Sequence, residues 1–513
     1  MTQPFKKIGV AGAGAMGRGI VQLYAQAGFP VALYDTQPAV VAAAIKQVRD
    51  TFDMLVQKGR LSREKADAAS AGLSALDSPD GFAGCDLVIE AIIERLDIKR
   101  EFFAKLESVL APDAVIVTNT SSLSVTALAA GRQHPERVAG YHFFNPVPLM
   151  KVVEVIAAPR TTPSVIERLV ELTRIAGHTP VVAQDTPGFI VNHAGRGFGT
   201  EALKTLGEGV ADIPGIDRIM REQALFNGQG FKLGPFELLD LTGLDVSHAV
   251  MESIFNQYYQ EPRFRPSVIG TQRVAAGLFG RKVKEGFYDY RENASAGAGA
   301  LPEQPVPGVG DLPRVWVDPA QREALATLVT ELGASVDDGK TPAGDSLILL
   351  APLGLDASTA AVRAGVDASR VVAIDTLFPF AAKGCKRRTL MTTPATSAAS
   401  RDAAHALLAR DGAKVTVIRD SAGFVAQRIA GMIIAIGCEI AQQRIATPED
   451  IDVAVRLGLG YPCGPLAMGD VLGPQRVMTL LNNMHAVTLD PRYRPSLWLQ
   501  RRAQLGLSLL QAD

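Results

Sequence analysis

Lys7-Ile8-Gly9-Val10-Ala11-Gly12-Ala13-Gly14-Ala15-Met16-Gly17 is a short apolar run ending in a GxGxxG hexad, and its reading decides the fold of this chain. A helical stretch continues to about Gly28, and a second apolar run, Pro30-Val31-Ala32-Leu33-Tyr34-Asp35, follows. Strand, glycine turn, helix and strand within about 30 residues make one βαβ unit. A bare GxGxxG carries little weight in a glycine-rich chain. Here it opens a helix directly after a strand, and Asp35 ends the next strand. Gly12 permits the tight turn, Gly14 lets the backbone approach a pyrophosphate, and Gly17 lets helix and strand pack closely. Ala15 and Met16 begin the helix, whose N-terminal N–H groups and partial positive charge favour phosphate. Asp35 would accept hydrogen bonds from ribose hydroxyls and repel a 2′-phosphate, so the cofactor expected is NAD rather than NADP.

Outward from this unit, long helical patterns occupy 38–58 and 62–71, and apolar runs recur at 86–92, 114–117, 138–141, 152–156 and 179–183. Strands alternating with helices predict a mainly parallel sheet covered on both faces, a Rossmann-type α/β domain over residues 1–185. From Thr186 the texture turns helical, with patterns at 188–208, 214–224, 235–241 and 245–257, which predicts an all-α domain over 186–292. Residues 293–312 are rich in Ala, Gly and Pro and have the composition of a flexible linker.

The rest of the chain repeats this plan. Asp185-Thr-Pro-Gly-Phe-Ile-Val-Asn192 returns as Asp420-Ser-Ala-Gly-Phe-Val-Ala-Gln427, Leu233-Gly-Pro as Cys463-Gly-Pro, and Glu261-Pro-Arg-Phe-Arg-Pro266 as Asp490-Pro-Arg-Tyr-Arg-Pro495. Matches in one order mark a duplicated helical domain over 420–513. Residues 313–419 read as a degenerate Rossmann-like copy without a GxGxxG: Asp375 stands at the place of His142, and Gln427 at that of Asn192. This half is expected to be structural, its helical domain packing on the first as an internal pseudo-dimer, with a homo-oligomer as a further possibility.

Composition narrows the function. The chain has 513 residues, enough for three or four domains, with 47% hydrophobic and 20% charged residues. Lys+Arg 52 against Asp+Glu 53 provides no net field toward nucleic acid or an anionic membrane. The four cysteines show no paired spacing, so a disulfide framework or a structural metal is not expected, and the reading is a reduced, cytoplasmic protein. The opening residues run into an apolar segment broken by glycines, unlike a signal-peptide core. The apolar stretch 429–440 is too short to span a bilayer and reads as a buried helix.

His142 and Glu154 form a second constellation. His142 sits just past an apolar strand and before Phe-Phe-Asn-Pro, and Glu154 lies among Val152, Val153 and Val155. A carboxylate inside an apolar strand is costly unless paired, and twelve residues crossing a Pro-Val-Pro turn can bring neighbouring strands side by side. An imidazole backed by a carboxylate is a general base of fixed tautomer. Cys85 reads as a packing residue.

These motifs, with Asn119-Thr-Ser-Ser-Leu123, Lys151-Val-Val-Glu154 and Gly286-Phe-Tyr288, resemble the NAD-dependent 3-hydroxyacyl-CoA dehydrogenase family, densely over residues 5–290. The second helical copy resembles the two-repeat bacterial 3-hydroxybutyryl-CoA and 3-hydroxyadipyl-CoA type. The resemblance implies oxidation of an (S)-3-hydroxyacyl-CoA to the 3-oxoacyl-CoA, in fatty-acid or phenylacetate-type degradation. It makes His142 the base, Glu154 its partner, Ser121 the hydrogen-bond partner of the substrate's 3-oxygen, and Asn192 a substrate neighbour. Glu94, Lys99 and Asn145 would line the nicotinamide and its ribose, and Lys282 would reach the cofactor from the helical domain, although Val283-Lys284 depart there from the family pattern. Thr51 and Lys58 would meet the CoA portion; a solvated helix face is the alternative. Two other functions remain open at this point: a dehydrogenase of a non-CoA hydroxy acid, like gulonate 3-dehydrogenase or λ-crystallin, and a non-catalytic NAD-binding protein.

Overall fold

The computed structural model describes residues 4–292, 297–382 and 384–513. They form two compact units: 1–193 with 443–459, and 194–442 with 460–513. The expected boundaries placed 443–459 in the second helical domain; its contacts place it with the first unit.

The first unit is built on β1 (Ile8–Ala11), β2 (Val31–Tyr34), β3 (Leu73–Ala75), β4 (Leu87–Glu90), β5 (Val115–Thr118), β6 (Val138–Phe143), β7 (Val152–Ala157) and β8 (Thr179–Gln184). Their order in the sheet is β3-β2-β1-β4-β5-β6-β7-β8. β1 pairs in parallel with both β2 and β4, so the strand order reverses beside the glycine turn, the usual place for a dinucleotide crevice. All neighbours run parallel except β6 and β7. The Pro-Val-Pro turn between them is too short for a parallel crossover, so the chain doubles back. The core on one sheet face includes Val10, Leu33, Ile89, Val117, Tyr141, Phe143, Val153 and Val155. Period-two alternation therefore turns His142 and Glu154 to the other face. β3 has no counterpart in the sequence reading; its three residues are too few for a periodic signal. The helix expected over 188–208 is interrupted. Gly188 and Phe189 adopt positive φ (77° and 47°), and regular helix resumes at Val191–Ala194 and Arg196–Gly207.

The second unit holds β9 (Val315–Val317), β10 (Val336–Asp337), β11 (Leu347–Leu350), β12 (Val371–Ile374), β13 (Arg387–Thr392) and β14 (Lys414–Ile418). The order β10-β9-β11-β12-β13-β14, with β12 and β13 alone antiparallel, repeats the first sheet with two strands fewer. Where the first sheet has its glycine turn, this one has Asp318-Pro-Ala-Gln. The Asp318 carboxylate takes the Ala320 and Ala351 amides at 2.9 and 3.1 Å. A phosphate there would meet the negative charge of this carboxylate. Asp375 follows β12 at the position His142 has in β6, and opposite it stands Thr389. Asp375 is fully buried; its Oδ1 accepts from Gln427 Nε2 at 2.8 Å and from the Leu377 amide at 3.0 Å, while Oδ2 has no partner. Burial pushes its carboxyl up to about 6.

Helix Val425–Gln442 is, among the described residues, the one helix long and apolar enough to cross a membrane, and it is buried almost throughout. Helix Arg196–Gly207 crosses it so closely that a Cβ on Gly197 would stand 3.0 Å from Ile433 N. Beside this crossing the buried Glu201 accepts from Arg428 Nε (2.8 Å), Tyr493 Oη (2.7 Å) and Arg492 Nη1 (3.0 Å). The repeated arginines reach across reciprocally: Arg492 donates to the Pro262 carbonyl, and Arg263 to that of Arg494. Of the expected flexible linker, residues 293–296 lie outside the described residues. The stretch that follows is strapped down: Arg218 donates to the Ala298, Leu301 and Pro302 carbonyls, and Glu303 pairs with Arg387 at 2.6 Å. Main-chain carbonyls and the Glu303 carboxylate together hold a stretch whose composition is that of a flexible linker.

Two measurements check these energetics. Glu201→Gln removes the carboxylate shared by Arg428 and Arg492, which keep Glu208 and Asp490 as partners, and denaturant unfolding should show a loss of about 1.5–3 kcal/mol; a change under about 1 kcal/mol would show the network to be energetically idle. A raised carboxyl binds its proton more tightly in the folded chain, so its stabilising influence is complete below about pH 4 and lost as pH climbs through about 6. The stability of Asp375→Asn relative to the parent should therefore rise by about 3 kcal/mol between pH 4 and 7, and a flat difference would refute it.

Candidate active site

The glycine turn has the geometry a dinucleotide needs. Gly12 has φ +101°, and a Cβ there would lie 2.3 Å from the Ala91 carbonyl oxygen. A Cβ on Gly17 would stand 1.8 Å from the Gly12 oxygen, so helix Ala15–Gln26 can pack on β1 only as glycine. Above Gly14 there is open space. No side chain caps this helix and its first turn carries no acid, which leaves its N-terminal amides for an anion. Asp35, just past β2, accepts the Ala13 amide at 2.9 Å through one oxygen and the Gln37 amide at 3.2 Å through the other, which fixes the carboxylate beside the turn. These residues fit NAD: room for a pyrophosphate, unclaimed amides and an acid placed for a ribose.

Glu90 ends β4 with its carboxylate fully buried, between Lys99 Nζ (2.7 Å), the Ile92 amide (2.8 Å) and Thr118 Oγ1 (2.8 Å). Lys99, itself 1% exposed, also pairs with Glu94 Oε2 at 3.0 Å. The other oxygen of Glu94 gathers Thr120 Oγ1, the Ser121 amide (3.2 Å) and Ser122 Oγ (3.1 Å). Burial alone would raise the Glu94 carboxyl; Lys99 and these donors outweigh it and hold it below the ordinary value. Glu94, Lys99 and the Ser121 amide thus form one hydrogen-bonded cluster. Glu90 was missed, although a carboxylate closing the apolar run Leu87-Val-Ile is the same signal that exposed Glu154.

On β6 and β7, His142 and Glu154 are direct cross-strand partners. His142 Nδ1 lies 2.6 Å from Glu154 Oε2. Glu154 Oε1 accepts the amides of Ile190 and Val191, each at 2.9 Å. The carboxylate is 0% exposed, and every donor around it is preoriented. Phe144 and Phe189 flank the imidazole at 4.5 and 5.9 Å between ring centres, and Nε2 has no hydrogen-bond partner among the described residues. Asn119, quoted in the sequence motif but given no role, accepts the Phe143 amide at 2.8 Å and so fixes the end of β6. Asp185 accepts from Ser124 Oγ, the Val125 and Thr126 amides and Thr126 Oγ1, tying the turn before Asn192 to the segment after Ser121.

The remaining expected residues are more scattered. Asn145 is exposed at a cis bond to Pro146, three residues after His142. Asn192 directly follows the two amides on Glu154. Thr51 Oγ1 donates to the Gln47 carbonyl of its own helix, Pro38–Gln57, and Lys58 is exposed at its end. Lys282, in the second unit, pairs with Asp245 at 2.5 Å. Burial pushes the Cys85 thiol up to about 11, which suits packing and not nucleophilic attack.

Residues 7–186 match the NAD binding domain of 3-hydroxyacyl-CoA dehydrogenase, and residues 188–290 and 423–508 each match its C-terminal domain. The chain is 38% identical over 498 residues to a 3-hydroxyadipyl-CoA dehydrogenase of Escherichia coli, covering 97% of both. It is also 38% identical to a 3-hydroxybutyryl-CoA dehydrogenase of Bradyrhizobium diazoefficiens, which spans 57% of this chain and is itself covered to 97%. A crystal structure of 3-hydroxybutyryl-CoA dehydrogenase from Escherichia coli superposes with a TM-score of 0.82 at 35% identity over 98% of each chain. The glycine turn, the buried His142–Glu154 pair and these full-length matches lead to one conclusion: the chain belongs to the NAD-dependent 3-hydroxyacyl-CoA dehydrogenase family.

Proposed function

We propose that this chain oxidises the 3-hydroxyl of an (S)-3-hydroxyacyl-CoA to the 3-oxo form, with His142 as general base and Glu154 as its partner. The observation that carries the assignment is the 2.6 Å contact between His142 Nδ1 and Glu154 Oε2. Glu154 already accepts two amides through its other oxygen, so it acts as an acceptor and Nδ1 must carry the hydrogen. Nε2 is then the lone pair offered to a substrate hydroxyl. Bound NAD supplies the acceptor for the hydride that leaves C3 of the substrate. As the C–H bond breaks, the hydroxyl proton passes to Nε2, and the carboxylate 2.6 Å behind the ring stabilises the imidazolium. Ser121, positioned by Glu94, and Asn192, positioned by the Ile190–Val191 turn, hold the oxygen. Glu94, Lys99 and Asn145 border the nicotinamide ribose, while Thr51 and Lys58 remain the proposed contacts of the CoA portion and Lys282 a further cofactor contact.

The reading extends to the setting. Acyl-CoA is the partner, the pathway is breakdown of fatty-acid or phenylacetate-derived chains, and the compartment is the cytoplasm, in keeping with the unpaired spacing of the cysteines. The two helical copies, which exchange arginine contacts in the second unit, form the internal pseudo-dimer.

A substrate panel followed at the NADH absorbance should show turnover with 3-hydroxyacyl-CoA and none with the free hydroxy acid; the reverse preference refutes the substrate class. In the same assay His142→Ala should lower kcat by ~10²–10⁴, about 3–5 kcal/mol of barrier, with NADH affinity unchanged. Near-normal turnover would remove the base.

A further inference from the structure

The C-terminal half contributes one segment to the first unit, residues 443–459, separated by some 250 residues from the rest of that unit. It covers β8, which is the edge strand of the eight-stranded sheet. The Gln184 amide donates to the Ile445 carbonyl at 2.8 Å. Helix Pro448–Leu459 then lies against β7 and β8, burying Ile451, Ala454 and Val455.

Its last turn carries Gly458. A Cβ at this position would stand 3.0 Å from both methyl groups of Val191 and 3.6 Å from Val152 Cγ1. Glycine is among the poorest helix formers, and the left-handed residue that ends this helix is the next glycine, Gly460, at φ +67°. Neither helix formation nor capping therefore calls for glycine at 458; close approach does. The residue approached is one of the two whose amides hold the Glu154 carboxylate. The line of contacts runs Gly458, Val191, Glu154 Oε1, and through Oε2 to His142 Nδ1.

We propose that Gly458 is a positioning residue for catalysis: the bare surface of helix Pro448–Leu459 sets where Val191 sits, and thereby where Glu154 holds the His142 imidazole. This rests on the reading of His142 as the base. General-base transfer depends steeply on geometry, and a displacement of about 1 Å can cost ~10²-fold in rate. The glycine turn that takes the dinucleotide lies on other strands and does not touch this line of contacts, so its affinity should not respond.

The test uses the full-length protein. Gly458→Val should lower kcat about 10- to 100-fold while the KM for NAD and the Kd for NADH stay within about twofold. Adding Val191→Ala, which removes the two methyl groups nearest the new side chain, should recover most of the loss. If Gly458→Val does not give soluble protein, Gly458→Ala takes its place with the same second substitution and the same readings. A kcat within about twofold of the parent, a loss that Val191→Ala does not recover, or an equal loss of NADH affinity each overturns the proposal. His142→Ala assayed alongside separates the two readings. Normal turnover there removes the base and this proposal with it, whereas a loss there with an unaffected Gly458→Val removes this proposal alone.

Discussion

The first unit depends on satisfying one carboxylate. Glu154 lies wholly inside a strand whose other residues are apolar, and a charge in that position is tolerable only when its oxygens are filled by donors. Three donors reach it: one ring nitrogen and two amides. The amides dictate the local chain. Gly188 and Phe189 take positive φ to break what would otherwise run as helix and to aim Ile190 and Val191 at Oε1. Asp185 anchors the near end of that turn on Ser124–Thr126. The ring nitrogen fixes the imidazole, so the same requirement that makes Glu154 stable in the sheet also orients His142.

The second sheet shows what happens when that requirement is lifted. It keeps the strand plan, including the single antiparallel pair, and it keeps the aspartate anchor, since Asp420 accepts the Ala357 and Ser358 amides and Ser358 Oγ much as Asp185 does its donors. The carboxylate and the imidazole are gone. Thr389 and Asp375 stand in their places, with Gln427 filling one oxygen of Asp375 and the main chain shared around it. The glycine turn is likewise replaced by an aspartate, which holds the Ala320 and Ala351 amides and would repel an anion. What survives is the framework that sets strand order; what is lost is the pairing that chemistry needs.

Much of this was legible from residue patterns. The hexad followed by Asp35 located the turn, the helix and the crevice, because glycine spacing and strand periodicity are local properties of the chain. The strands of the first sheet fell within a few residues of their observed ends, apart from the short β3. His142 and Glu154 were readable as a pair because a lone acid among valines demands a partner. Glu90 gave the same signal and was passed over. Asn119 and Asp185 act through contacts across 24 and about 60 residues, and nothing in their immediate surroundings announces their partners. The Ala/Gly/Pro stretch reads as flexible because its composition gives no local sign of a partner. Arg218, some 80 residues earlier, is that partner.

By itself the sequence determined the βαβ start, the cofactor turn, the duplication of the helical domain and the identity of the acid–imidazole pair, since each is written in spacing along one stretch or in a repeat between two. Only the tertiary structure decided the cross-strand register that sets Nδ1 against Oε2, the break at Gly188–Phe189, and the return of residues 443–459 to the first unit. Those outcomes depend on which buried group finds which donor or which open edge after the chain has collapsed, and such pairings are settled by geometry between segments that share no local pattern.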